Sequence, residues 1–115
     1  IAMNFGGDAN IKYRCIAPPV YNDPQLTDLV EQAGIFLLGK ENVVQLSRPS
    51  LGAEDFAELL QDIPGTMFRL GVGNNKGCAP LHNGKFSLDE RSLQIGVEVL
   101  TRSLLTWIKQ NNSRD

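Results

Sequence analysis

One histidine, His82, stands in Pro80-Leu-His-Asn83, downstream of a run that holds Gly71, Gly73 and Gly77. A neutral imidazole is the commonest protein metal ligand and carries protons near neutral pH. One imidazole is not a site, since a zinc ion takes about three or four protein ligands. Taken alone, His82 also reads as an ordinary loop residue. Two carboxylate pairs offer further chemistry, Glu54-Asp55 and Asp89-Glu90. Carboxylates bind cations and move protons. Both pairs also sit where helices should begin, where acid complements the helix dipole without any chemistry. The glycines follow an apolar segment, as a phosphate-cradling loop would. Their spacing is not G-x-G-x-x-G, no Walker lysine and threonine follow, and Pro80 falls where a helix should open. Glycines that let a loop turn are the better account. No serine stands in a G-x-S-x-G elbow. Cys15 and Cys78 are far apart, lack metal or redox spacing, and read as buried free thiols. They are compatible with a reducing cytoplasm, the expected location.

The elements that must position these residues alternate in type. Residues 1–5 read as the tail of a helix, and Gly6-Gly7-Asp8 as a turn. From Ala9 to Ala17, Ile11, Tyr13 and Cys15 alternate with Lys12 and Arg14, the two-residue period of a strand with one wet face. Pro18-Pro19 ends it. Asp23 is an N-cap and Pro24 a first helical residue. Leu26, Leu29, Val30, Ala33 and Leu37 repeat at helical spacing, and Gly39 supplies a left-handed end. Residues 42–46 read as a short strand. Residues 53–62 read as a short helix burying Phe56, Leu59 and Leu60, with Ile63 just past its end. Pro64-Gly65 breaks the chain, and residues 66–72 read as another apolar strand. Ser87 and Glu90 have the spacing of a capping box. Leu93, Val97, Leu100, Leu104 and Ile108 then form one apolar stripe. The polar end, residues 111–115, is expected to fray. Alternation of this kind predicts a layered α/β arrangement with a largely buried sheet.

Composition sets the bounds. The 115 residues amount to one domain or part of one. The apolar share of 42% and charged share of 21% are those of a soluble globular chain. A net charge of −2 with scattered Lys and Arg offers no patch for nucleic acid. No apolar run approaches the roughly 20 residues that span a bilayer, and no signal-peptide pattern opens the chain. The first residue is Ile1 rather than Met, so an upstream part is expected to have been removed.

Read in series, the motifs are more specific than any one of them. Pro49-Ser-Leu-Gly-Ala-Glu-Asp-Phe56 comes first, then Pro64-Gly65 and Phe68-Arg-Leu-Gly-Val-Gly73. Pro80-Leu-His-Asn83, Lys85-Phe86 and Asp89-Glu90 follow. This order resembles the C-terminal end of the metal-dependent amidohydrolases that include N-acyl-amino-acid amidohydrolases, hippurate hydrolases and auxin-conjugate hydrolases. The upstream Pro18-Pro-Val-Tyr-Asn-Asp23 is similar to their crossing from lid domain to catalytic domain.

The resemblance implies a zinc-peptidase-like α/β catalytic domain carrying two divalent metals, with a lid or dimerisation domain inserted in it. Residues 1–19 would be the last strand of the lid, and residues 20–115 the C-terminal section of the catalytic domain. His82 would be the last metal-binding histidine. Glu54 and Asp55 would support the site, and Gly71 and Gly73 would line the substrate pocket. No catalytic residue is assigned in this chain. The implied chemistry is hydrolysis of the amide bond of an N-acyl amino acid, with two metals polarising the carbonyl and activating a bridging water. The metal is zinc, manganese, cobalt or nickel, all of which accept imidazole. The ligand cysteine-and-histidine segment, the Glu-Glu pair and a further histidine of such enzymes have no match here. The chain alone is therefore expected to bind no metal pair and to be inactive. The expected partner is a small-molecule substrate, not nucleic acid or membrane, and a homodimer is compatible. The alternative is a non-enzymatic α/β module that self-associates through exposed sheet edges.

Overall fold

Helix α1, Pro24–Leu38, begins where the sequence places it. Asp23 is extended, with φ −64° and ψ 127°, and its Oδ1 accepts from the Leu26 amide at 2.9 Å. Pro24 has no amide to lose at the first turn. The Thr27 hydroxyl donates to the Asp23 carbonyl at 2.7 Å. At the far end Gly39 adopts φ 86° and ψ 150°, a positive φ outside the left-handed helical basin, and its amide donates to the Ile35 carbonyl. The Asn42 side-chain amide closes the last turn by donating to the Leu38 carbonyl at 2.8 Å.

These features come from a computed structural model that describes residues 1–74 and 77–112. A 3₁₀ turn at Ala2–Phe5, capped by Gly6 at φ 71°, agrees with the helix tail and turn read there. Another follows α1 at Lys40–Asn42. Helix α2 is a single turn, Phe56–Leu59, shorter than the expected 53–62. Its buried residue is Ala57, whereas Leu59 is 62% exposed and Ile63 66% exposed. Helix α3, Arg91–Asn112, is the longest element and packs against α1. Asn111 and Asn112, expected to fray, are instead the last residues of this helix, and the rest of that expectation, at 113–115, lies outside the described residues. No helix of the described residues is long and apolar enough to cross a membrane.

Among the described residues there is no β-strand. The expected strands at 9–17, 42–46 and 66–72 do not pair, so the α/β layering is not formed by this chain alone. A strand is not a local structure. Its amides and carbonyls are satisfied only by a neighbouring strand. Between Asn10 and Val20 no backbone–backbone hydrogen bond forms among the described residues. The apolar face read there lies in solvent, with Ile11 and Tyr13 88% and 89% exposed. The premise of self-association through a formed sheet edge is therefore not met among the described residues.

Residues 65–72 are held across the helices by polar clasps instead. The Asn22 side-chain amide donates to the Met67 carbonyl and accepts from the Met67 amide, both at 2.9 Å, imitating one rung of a sheet. The Asp23 amide donates to the Gly65 carbonyl at 2.8 Å, and the Thr27 and Thr66 hydroxyls pair at 2.9 Å. Helical glycines let neighbouring segments come close. A Cβ on Gly96 would lie 3.1 Å from Leu70, and one on Gly34 would lie 3.2 Å from Val43.

The core is small. Among the described residues Ala33, Ala57 and Val99 are the buried apolar residues, and Ser92 and Ser103 are buried as well. The serines satisfy themselves on nearby backbone, as Ser92 donates to the Asp89 carbonyl just before α3 and Ser103 to the Val99 carbonyl within it. The apolar stripe read on α3 is not the buried face. Leu93, Val97, Leu100 and Leu104 are 57–64% exposed. The buried positions lie one residue away, about 100° around the helix. Arg102 stacks over the Phe36 ring, 3.4 Å from its centre. Such a contact is worth about 0.5–1 kcal/mol at an exposed place.

The surface records the deficit. Its area is 10469 Å², against about 6,200 Å² for a folded monomer of this mass. The radius of gyration is 19.7 Å, against about 13 Å for a closed domain of this length. The isolated chain should therefore bind a hydrophobic dye and melt without a sharp heat-absorption peak; a sharp two-state calorimetric transition would contradict this. Asp23→Ala should weaken α1 by about 1 kcal/mol through loss of its cap, read as faster amide exchange at the helix start.

Candidate functional site

The loop that carries His82 is built in stages from its base. The Asp89 amide donates to the Val72 carbonyl at 2.8 Å and joins its two ends. Inside that base the Cys78 thiol donates to the Ser87 carbonyl at 3.0 Å, with the Ala79 carbonyl at 3.3 Å. Cys78 is half-buried; Cys15 is exposed, not buried as read from the sequence, and both thiols are free. The Gly77 amide donates to the Asn74 carbonyl at 2.8 Å, and Gly77 has φ 84°.

Two successive turns then present the histidine. The Asn83 amide donates to the Pro80 carbonyl at 3.3 Å, so Pro80, Leu81, His82 and Asn83 form one turn. The Phe86 amide donates to the Asn83 carbonyl at 2.9 Å, and Asn83 Oδ1 accepts from the Lys85 amide at 2.9 Å. His82 occupies the third position of the first turn with φ 65°, the only non-glycine residue with positive φ among those described. A type II turn demands a positive φ there and usually takes glycine. The left-handed conformation costs an L-residue roughly 1–2 kcal/mol. A residue kept in such a conformation points toward function. The imidazole is exposed on the crest of the turn.

The other residues singled out from sequence are not gathered around it. Glu54 and Asp55 are exposed, and their carbonyls accept from the Ala57 and Glu58 amides as α2 begins. Neither carboxylate forms a hydrogen bond or ion pair with His82 among the described residues. Gly71 and Gly73 lie exposed before the loop, and a Cβ on Gly73 would meet Cys78 at an ordinary 3.6 Å. No group of three or more His, Cys, Asp or Glu side chains able to hold a metal occurs among the described residues. One donor in this chain does not make a metal site, so any cation held by His82 needs ligands from elsewhere.

The start of α3 differs from the capping box read at Ser87 and Glu90. The Arg91 amide donates to Asp89 Oδ1 at 3.1 Å, and the Arg91 guanidinium grips both oxygens of the same carboxylate. Asp89 wins because its short side chain reaches the free amide while its arginine partner folds back over it. The hydrogen bonds from Arg91 pull the Asp89 carboxyl down to about 2 from its ordinary 3.8. Asn22, Thr66 and Cys78 also do structural work that sequence reasoning did not assign. Asn22 and Thr66 act on partners tens of residues away, which no local pattern reveals.

Peptidase family M20/M25/M40 is the family whose model matches, over residues 5–106. The chain belongs to that family, in agreement with the motif series ending at Pro80-Leu-His82. It is 38% identical over 109 residues to a Synechocystis sp. protein named as a probable hydrolase, covering 93% of this chain and 27% of that protein. It is 39% identical over 95 residues to thermostable carboxypeptidase 1 of Saccharolobus solfataricus, covering 80% of this chain and 23% of that enzyme. It is 36% identical over 88 residues to N-acetyldiaminopimelate deacetylase of Pediococcus pentosaceus, covering 75% of this chain and 21% of the relative. The chain thus spans about a quarter of the length of each of these three relatives. No solved structure matches.

The Asp89 clasp is testable by pH. Its charged form is favoured in the folded chain, so the stabilisation is full above the ordinary value of 3.8 and is lost as pH falls through about 2. A carbon-detected NMR titration should place the Asp89 midpoint near 2. Arg91→Ala should return it toward 3.8.

Proposed function

We propose that this chain is the C-terminal section of a dinuclear-metal hydrolase that cleaves the amide bond of N-acyl amino acids or related conjugates. The observation that carries the proposal is His82, exposed and held left-handed in a pinned turn, within a stretch matched by the family model. The names of its relatives, a carboxypeptidase and an N-acetyl deacetylase, support the substrate class. In this reading residues 1–19 end a lid domain, and residues 20–115 belong to the catalytic domain. The segments at 9–17, 42–46 and 66–72 become strands of a layered α/β fold once neighbours are present. A cytoplasmic setting accords with the two free thiols.

His82 supplies one imidazole ligand, and the remaining ligands come from the rest of a family-length protein. When bound, two divalent metals (zinc, manganese, cobalt or nickel) would polarise the amide carbonyl and acidify a water. The turn at Pro80–Asn83 sets the ring's direction through its backbone, and the clasps at Cys78 and Asp89 hold that turn in place. Glu54, Asp55, Gly71 and Gly73 serve as supporting or pocket-lining residues.

The 115-residue chain should release no product from N-acetyl or hippuryl amino acids with added zinc, manganese or nickel. Product above a His82→Ala control would overturn the claim of inactivity. In a family-length protein containing this segment, His82→Ala should lower bound metal, measured by elemental analysis, and cut turnover at least a hundredfold. Full metal content and full turnover in that variant would remove His82 from the site.

A further inference from the structure

The turn that carries His82 runs straight into the chain's one Asn-Gly pair, Asn83-Gly84. Both residues are exposed. Gly84 is not among the glycines with positive φ, and a Cβ built on it meets nothing within 4 Å. Neither backbone conformation nor space therefore demands glycine here. What glycine contributes is an amide nitrogen with no side chain beside it. That amide donates to nothing among the described residues, although the amides of Asn83, Lys85 and Phe86 all donate within the two turns. The Asn83 side chain is held by one end only. Its Oδ1 accepts from the Lys85 amide at 2.9 Å, while its Nδ2 has no acceptor among the described residues. Asn22, Asn42 and Asn111 are held at the other end, their side-chain nitrogens donating to the carbonyls of Met67, Leu38 and Trp107.

We propose that Asn83 is a site of self-modification, deamidating through a cyclic imide closed by the Gly84 nitrogen. The nitrogen attacks Asn83 Cγ and forms a new N–Cγ bond. The Cγ–Nδ2 bond breaks, and ammonia leaves with the proton that Gly84 gives up. Between these events negative charge develops on Oδ1, where the Lys85 N–H already donates. A fixed donor at a developing oxyanion lowers the barrier. Water then opens the imide. Cleavage of the bond to Cγ leaves an aspartyl product at position 83. Cleavage of the bond to the main-chain carbonyl leaves an isoaspartyl product, in which the chain runs through the former side chain. The balance is water consumed and ammonia released, with no electron transferred. Either product places a carboxylate next to His82, and the second lengthens the backbone inside the turn closed by the Phe86 amide. The step needs only this chain and water, so it stands apart from the hydrolase reading.

The test keeps the 115-residue chain in warm neutral buffer, samples it over days and weighs its proteolytic peptides. The peptide spanning 83–84 should gain the mass of an NH₂-to-OH exchange and separate into two products. One of the two should accept a methyl group from an isoaspartyl methyltransferase. Conversion at Asn83 should be about tenfold or more faster than at Asn10, which is also exposed but precedes the branched Ile11. Gly84→Ala, for which the turn has room, should slow conversion about tenfold. The native chain should convert no more slowly than the same chain in guanidinium chloride. An unmodified Asn83, a rate matched at Asn10, or a Gly84→Ala chain converting at the parent rate would overturn the proposal. So would slower conversion in the native chain than in denaturant, since the turn would then shield the side-chain amide instead of presenting it.

Discussion

A backbone segment cannot be a strand without a neighbour, and an apolar stripe cannot leave water without something to lie against. That constraint governs this chain. Its two long helices find each other, while three alternating or apolar segments find no ladder among the described residues. The helices close their own hydrogen bonds and need only one packing face. The remaining segments form no ladder among the described residues, since a strand's backbone groups are satisfied only by a neighbouring strand. Three buried apolar residues among those described and an extended outline of 65 × 47 × 23 Å are the result.

Polar clasps do what a sheet would do at the points that matter. Asn22 offers Met67 both a donor and an acceptor, as an adjacent strand would. The Asp89 amide catches the Val72 carbonyl and fixes where the apolar segment ends and the loop begins. Each joins residues distant in sequence through one or two hydrogen bonds. They hold residues 65–72 in a line from the start of α1 to the start of α3, with Gly96 letting Leu70 come close. The His82 loop hangs from the end of that line, so the geometry of the candidate ligand is set by hydrogen bonds rather than by a packed core.

Belonging to peptidase family M20/M25/M40 gives this arrangement its sense. The chain carries one candidate ligand, a presenting loop and an exposed helix face. Metal sites and sheets are both assembled from residues distant in sequence. The positive φ of His82 fits that picture, because glycine would make the turn without strain but would contribute no ring.

The sequence by itself determined what is short-range. Asp23, Pro24 and Gly39 mark the limits of α1 because caps act within one turn, and the glycine turn at Gly6 is legible for the same reason. The motif series ending at His82 was legible as a family likeness. Tertiary structure decided what depends on neighbours. It chose Asp89 over the Ser87–Glu90 box, because a fork from Arg91 and the bond to Val72 both converge there. It turned the small residues of α3 inward and the leucines outward, because a helix with two usable faces buries the one its neighbour can reach. It left Ile11, Tyr13 and Cys15 in water, because their alternation specifies a surface but not the strand that must lie beside it.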